Sequence, residues 1–375
     1  MSDAPTPSAL GDVRILDFSR VLAGPFATMM LADLGAEVIK LERPGIGDET
    51  RSWGPPNDEH GNATYFQAVN RNKRSVAVDL ASEAGRARVR ELAATADVVV
   101  ENFRPDVMDK LGLGYESLSA SHPRLVFCSI TGFGAGDGAR LPGYDLLVQA
   151  LGGLMSITGA PDSEPQKVGV AVVDVLAGLF ASVGILAALR HRDATGEGQR
   201  VQVDLFSSLL AALVNQGSAF TIAGVVPARM GNAHPSISPY ELYETGAGEL
   251  VLAVGNERQF ATLCDVLDAP ELAADTRFAG NRSRVQHRDE LKRELVQRLR
   301  TRPAAEWARL LTDARVPAGE VNDIAGAFEL ARTLGLQPIV DVPGPDGSAV
   351  SLTRNPISMS RTPPTYRSAP PALPE

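Results

Sequence analysis

Between Lys167 and Arg190 the sequence carries a single charged residue, Asp174, in a run of valine, leucine, alanine and glycine. A carboxylate in so apolar a stretch is costly unless it is hydrogen-bonded, paired or used. Two roles fit. As a helix N-cap, the side chain accepts backbone N–H bonds. Held ionised by a helix dipole and free N–H groups in a dry site, it is also a nucleophile toward a thioester or other activated acyl group. The two roles are compatible.

A glycine-rich run follows an apolar strand at Gly132-Phe-Gly-Ala-Gly-Asp-Gly and leads to Tyr144-Asp145. It matches the dinucleotide fingerprint loosely, but that fingerprint needs a helix to open at once, and Pro142-Gly143 interrupts. A glycine loop acting as a lid is the better reading, with Asp145 capping a helix over Leu146–Ala150. Arg43, Arg71, Lys73, Arg74, Arg104 and Lys110 stand at or near predicted strand ends, where they can form a phosphate-binding rim. The five histidines, His60, His122, His191, His234 and His287, show no metal-ligand spacing. His234, in Gly231-Asn-Ala-His-Pro, either lines a site or shapes its loop. There is no Gly-x-Ser-x-Gly elbow and no Walker A loop.

The elements that must carry these residues alternate. Strands are predicted over Val13–Phe18, Glu37–Leu41, Ser75–Leu80, Asp97–Glu101, Leu125–Ile130 and Gln199–Asp204. Helices are predicted over Pro25–Leu34 and Glu83–Ala94. Such alternation implies a mostly parallel sheet with helices on its faces. The apolar stretches Val168–Leu189 and Leu205–Ala228 are long enough to tempt a membrane reading, but Asp174, the glycines and several Ser, Asn and Gln argue for buried core helices. The composition shifts near Pro227. A strand over Glu249–Val254 and helices over Gln259–Leu267, His287–Arg300 and Ala304–Ala314 read as a smaller α+β domain. Beyond Gln337 come short strand-like pieces, Ile339–Val342 and Ala349–Leu352, and a Pro-rich tail expected to lie extended on the surface.

At 375 residues, two domains are the natural expectation. A net charge of −9 argues against general nucleic-acid binding. Cys128 and Cys264 form no disulfide framework and no zinc spacing, and Cys128 sits in a core-like strand. The first residues lack the basic start and apolar core of a signal peptide, so a cytoplasmic setting is expected.

Several segments in fixed order resemble the class III CoA-transferases over nearly the whole chain. They include Ile15-Leu-Asp-Phe-Ser-Arg-Val-Leu-Ala-Gly-Pro, Gly35-Ala-Glu-Val-Ile-Lys-Leu-Glu-Arg-Pro-Gly, Gly47-Asp-Glu-Thr-Arg, Asn70-Arg-Asn-Lys-Arg, Asp97-Val-Val-Val-Glu-Asn-Phe-Arg-Pro and Thr195-Gly-Glu-Gly-Gln. Arg20–Ala27, Arg229–Tyr240 and Gly255–Leu263 look most like the succinyl-CoA:glutarate branch. The resemblance implies Asp174 as nucleophile. It implies coenzyme A contacts at Leu22, Ala23, Arg43, Asn102, Phe103, Arg104 and Lys110, where Lys110 replaces an arginine and keeps charge without bidentate geometry. Tyr144 and Asp145 match a Tyr-acidic pair near the thioester, and Asn232 and His234 fall in the substrate loop. Related racemases use a His-Asp pair where this chain has Tyr144-Asp145, so two-base proton exchange lacks one base and CoA transfer is favoured over racemisation.

The implied fold is a Rossmann-like α/β large domain, residues 1–226 completed by 331–375, with a small α+β domain over 227–330. The resemblance also implies that two chains interlock as linked rings. The implied chemistry moves CoA between an acyl-CoA, with succinyl-CoA expected, and a carboxylic or dicarboxylic acid, through an aspartyl anhydride and an aspartyl-CoA thioester. Acyl-CoA and small acids are the partners, with no metal, nucleic acid or membrane.

Overall fold

The computed structural model describes residues 8–345 and 347–374, and the first residues, read above for a leader, lie outside that range. The chain forms two compact units. One comprises residues up to Leu154, Lys167–Val225 and the segment from Gln337 onward; the other comprises Met155–Gln166 and Val226–Leu336. Residues 155–166, read from sequence as part of the large domain, thus belong to the second unit, where Gly231 N–H donates to the Gly159 carbonyl (3.0 Å).

The first unit is built on a six-stranded sheet. Its strands are β1 (Arg14–Asp17), β2 (Glu37–Glu42), β3 (Lys73–Ala77), β4 (Val98–Glu101), β5 (Val126–Thr131) and β6 (Arg200–Asp204). The order is β3-β2-β1-β4-β5-β6, and every pairing is parallel. Parallel strands are covered on both faces, so the central ones carry consecutive apolar residues, Ile15-Leu16 in β1 and Val98-Val99-Val100 in β4. Side chains alternate across the sheet. Ile15, Val98, Val100, Val126 and Cys128 point to one core, and Leu16, Val99 and Phe127 to the other.

The first core is closed by α1 (Ala23–Asp33) and by a long helix described below; the second is closed by α2 (Glu83–Ala93). Asp145–Leu151 forms α3 and Val172–Thr195 forms α4. Helix α4 stops at Gly196, which adopts a left-handed φ of 85°. Its inner face, Val173, Ala177, Ala181 and Ile185, is fully buried against the sheet and α1. At Gly178 the helices touch so closely that a Cβ would sit 2.6 Å from the Ala23 carbonyl oxygen.

Two expectations change here. Helix α4 is long and apolar enough to cross a membrane, yet its inner face packs in the sheet core while Leu179, Phe180, Val183 and Leu186 on its outer face are exposed. The buried core helix expected within the apolar stretch Leu205–Ala228 is two helices, α5 (Leu205–Ala212) and α6 (Val214–Ala223), bent by 82°. The break falls at Val214, whose φ is 38°, and α6 buries no residue.

The C-terminal segment makes an antiparallel pair, Ile339–Pro343 with Ala349–Thr353, then runs extended over the first unit. The Arg367 guanidinium donates to the carbonyls of Ala32 in the last turn of α1 and of Gly35 and Ala36 just beyond it. Asn72 Oδ1 accepts from the amides of Arg367 and Ser368.

The second unit holds the antiparallel sheet β7 (Tyr240–Glu244), β8 (Glu249–Ala253) and β9 (Ala318–Glu320). Helices α7 (Glu257–Val266), α8 (Arg288–Leu299) and α9 (Ala304–Asp313) cover it. Leu250, Leu252, Phe260, Leu263, Leu295 and Trp307 make its core.

Candidate active site

In open α/β sheets the place for a ligand is beyond the carboxyl ends of the strands, where the strand order reverses. Here that point lies between β1 and β4. A cavity of about 220 Å³ opens there, walled by the turn after β1, the Asn102–Pro105 turn after β4, Ile130–Gly132 after β5, and Tyr144 and Asp174. Leu22, Ala23, Asn102, Phe103, Arg104, Tyr144 and Asp174, all singled out from the sequence, meet in this one space.

Asp174 stands in the first turn of α4 and is half-buried. It is not the N-cap expected from the sequence. That place falls to Ala171, which has no side-chain acceptor to offer. The capping acceptor comes from elsewhere: Asp145 Oδ2 accepts from the amides of Val173 (2.8 Å) and Asp174 (3.3 Å). Asp145 Oδ1 accepts from Gln149 Nε2, and Gln149 Oε1 accepts from Val168 N–H. Asp145 was expected to cap its own short helix; it caps α4 instead.

This arrangement changes the electrostatics. Two of the helix amides that would stabilise a carboxylate are already engaged by Asp145. Burial and then the neighbouring charge of Asp145 push Asp174 up to about 7. The sequence reading of a firmly ionised carboxylate is therefore corrected: the group titrates near neutrality, where its anion is both accessible and basic.

The glycine run after β5 does not open an α-helix, only the 3-10 turn Asp137–Arg140. Its neck is pinched where Gly132 and Gly143 pass so closely that a Cβ on Gly143 would lie 2.7 Å from the Gly132 Cα. That close approach delivers Tyr144, 61% exposed, to the cavity wall.

Arg43 follows β2 and lines a neighbouring cavity of about 300 Å³ with Leu41, Val78 and Leu80. The two cavities share Arg20 and Phe103, and the Arg20 guanidinium lies over the Phe103 ring at 4.9 Å. Asn102 reaches back to Arg20: its Oδ1 accepts from Arg20 N–H (2.9 Å) and its Nδ2 donates to the Arg20 carbonyl (2.7 Å). Lys110 is exposed on the short helix Val107–Lys110 and borders neither cavity.

Arg71 and Lys73 are not part of a phosphate rim. Arg71 is buried in an ion pair with Asp33 (2.6 Å), and Lys73 is buried beside Asp17 (3.2 Å). Arg74 lies on the surface near Glu37.

Asn232 and His234 belong to the second unit. Asn232 lines a cleft there with Arg229 and Arg293. His234 shapes its loop: Nδ1 accepts from Ser236 N–H, and its carbonyl accepts from Arg288. Cys128 and Cys264 are both buried, and burial raises the Cys128 thiol to about 12, which leaves it inert.

Sequence reasoning missed Tyr65 and Val21. Tyr65 packs against the same buried cluster, Leu22, Met29 and Val69, as Val175 of α4, and burial followed by the charges of Asp174 and Asp145 raises its phenol. Val21 lines the cavity with a φ of 68°. No sequence signal marks a left-handed valine, because the residue type opposes it.

A family description for CoA-transferase family III matches residues 10–375. The chain belongs to CoA-transferase family III. It is 44% identical to a succinate–glutarate CoA-transferase of Agrobacterium fabrum, an alignment covering 100% of this chain and 96% of that one. It is 41% identical to a succinyl-CoA:mesaconate CoA-transferase of Haloarcula hispanica, over 98% of this chain and 94% of the relative. Among solved structures, a CAIB/BAIF family protein from Brucella suis superposes with a TM-score of 0.86 at 42% identity, covering 98% of this chain and 96% of that one. The chain is therefore an enzyme that transfers coenzyme A between an acyl-CoA and an acid.

Proposed function

We propose that this CoA-transferase moves CoA from succinyl-CoA to a dicarboxylic acid through covalent intermediates on Asp174. The observation that carries the reading is the Asp174 carboxylate, pushed up to about 7 by burial and by Asp145, in a cavity at the switch point of the sheet.

An Asp174 oxygen attacks the thioester carbonyl of the donor. The C–S bond breaks, CoA leaves as thiolate, and the donor acyl group remains as a mixed anhydride. The thiolate attacks the Asp174 side-chain carbonyl and releases the donor acid, giving an aspartyl-CoA thioester. The acceptor carboxylate attacks that thioester, forms a second anhydride and expels the thiolate again. The thiolate then takes the acceptor acyl group, and Asp174 is regenerated. An anhydride keeps the free energy of the thioester, which a serine ester would lose. Both intermediates hydrolyse in water, so the apolar setting of α4 protects them. Tyr144, which lines the same cavity, is the proposed donor to the developing oxyanion.

The named relatives act on succinate, glutarate and mesaconate, which supports a dicarboxylic acid as partner. Leu22, Ala23, Phe103 and Arg104 at one cavity, with Arg43 at the next, are the proposed CoA contacts. Lys110 and Asn232 are proposed as surface groups for a phosphate of CoA and for the acid respectively. Among the described residues no histidine lines the Asp174 cavity, which supports transfer over a His-Asp racemisation.

We further propose a homodimer, interlocked as the resemblance implies. The exposed Leu179, Phe180 and Val183 of α4 and Phe220 and Ile222 of α6 support it, because apolar surface of this extent is usually covered. Light scattering at micromolar concentration checks the mass. A cytoplasmic setting is proposed on the two unpaired thiols, and cell fractionation checks it.

Isotope transfer tests the chemistry. With an acceptor acid carrying ¹⁸O in its carboxylate, one turnover leaves one labelled oxygen on the Asp174 carboxylate. Direct attack of the acid on the donor thioester leaves none.

A further inference from the structure

We infer that Lys40 and Asp48 are positioning residues for acyl transfer: their buried pair holds the Ser19–Leu22 turn in the shape that walls the Asp174 cavity. The inference rests on the proposed role of Asp174.

Both side chains are fully buried, with the Lys40 ammonium 2.9 Å from Asp48 Oδ2. A buried pair of this kind is poor evidence of stability, since apolar replacements often do as well. Its other bonds show what it holds. Lys40 Nζ donates to the Ser19 carbonyl (2.8 Å). Asp48 Oδ1 accepts from Val21 N–H (3.3 Å) and from the amide and hydroxyl of Thr50 (3.0 and 2.8 Å). Asn102 takes both the N–H and the carbonyl of Arg20. Three consecutive residues, Ser19, Arg20 and Val21, are thus each fixed by a side chain from another segment.

The need for such fixing lies at Val21. A β-branched residue at φ 68° is strained and persists only where its surroundings over-determine it. Immediately beyond it, Leu22 and Ala23 open α1 and face the cavity shared with Asp174. Were the turn to relax to negative φ, this wall would move while the sheet beneath stayed intact.

The test begins with Lys40→Met/Asp48→Asn, which removes both charges together and leaves neither buried alone. The rate of acyl transfer to Asp174 is read by rapid quench, alongside the KM for acyl-CoA and the melting temperature. The rate falls at least tenfold, and the KM for acyl-CoA rises with it because Leu22 and Ala23 are proposed CoA contacts. Adding Val21→Gly, for which a left-handed φ carries no penalty, restores at least fivefold without restoring the melting temperature. A rate within twofold of the parent, or a loss that glycine does not recover, overturns the inference.

Should the double variant not fold, Thr50→Val keeps both charges and removes one donor to Asp48. A threefold fall restored by Val21→Gly supports the proposal, and any other result overturns it. Asp174→Asn separates the two claims. If that variant turns over normally, the reading of the site fails and takes the positioning role with it. If it is inactive while the Lys40/Asp48 variant is fully active, only the positioning role fails.

Discussion

Asp145 Oδ2 accepts the amide protons of both Val173 and Asp174, so one carboxylate closes the helix end on which the other stands. The contact has two consequences in opposite directions. It satisfies N–H groups that a buried helix end cannot leave open. It also sets a negative charge beside the nucleophile and removes the donors that would have made Asp174 an ordinary acid.

The first consequence is a pH profile. Only the anion of Asp174 attacks a thioester, and that anion forms as pH rises through about 7. Turnover at low acyl-CoA should climb tenfold per pH unit below that value and level off above it. Asp145→Asn keeps an acceptor for the Val173 amide and removes the charge, so the inflection should move to lower pH. Initial rates from pH 5 to 9 for both proteins check this, and an unmoved inflection contradicts it.

The second concerns stability. Because the folded carboxyl is pushed up from 3.8 to about 7, the folded protein binds more protons than the unfolded chain between those values. Stability contributed by this site is therefore lost as pH rises from about 4 to 7, and the full penalty remains above 7. Asp174→Asn should be inactive yet more stable at pH 8, by about 1–3 kcal/mol after allowing for solvent at a half-buried group. The gain should vanish near pH 4. Melting curves of the two proteins at several pH values measure it.

Close backbone contacts predict the outcome of small substitutions. Gly178→Val drives a side chain into the Ala23 carbonyl, where the gap for a Cβ is 2.6 Å, and should destabilise the first unit by about 1–3 kcal/mol. Gly143→Ala opens the neck of the glycine loop at Gly132 and should displace Tyr144, lowering kcat at least tenfold with little change in melting temperature. Urea titration and steady-state kinetics distinguish the two effects.

Arg20 predicts acceptor choice. It borders the Asp174 cavity, and among the described residues its guanidinium meets Glu49 at 3.4 Å and the Phe103 ring, which leaves it able to meet a second carboxylate. Arg20→Met should lower kcat/KM for glutarate or succinate by about 30-fold, within the range expected for loss of a charged hydrogen bond. The value for butyrate should change by less than threefold. Equal losses on both acids would contradict the assignment.

Much of this was legible in the sequence. Apolar runs such as Val98–Val100 and Val126–Cys128 can only be strands covered on both faces, and Asp174 is conspicuous because nothing near it in sequence can pay for its charge. What stayed hidden depends on partners distant in sequence. Arg71 and Lys73 look like surface cations until Asp33 and Asp17 are seen beside them. Asp145 lies 29 residues from the amide it caps. The break between α5 and α6 falls just before Asn215-Gln216-Gly217-Ser218, and a few polar residues in an otherwise apolar stretch do not announce that α6 leaves the core. Local chemistry could mark the nucleophile, while its acidity was set by the fold.

Hydroxylamine capture tests the central claim most directly. The enzyme is mixed with acyl-CoA and hydroxylamine without acceptor, digested, and its peptides weighed. The account predicts a hydroxamate on Asp174 that appears only with acyl-CoA and that forms at pH 5 more readily in Asp145→Asn than in the parent. An unmodified Asp174 in enzyme that is losing no activity, or a hydroxamate on another carboxylate, would contradict it.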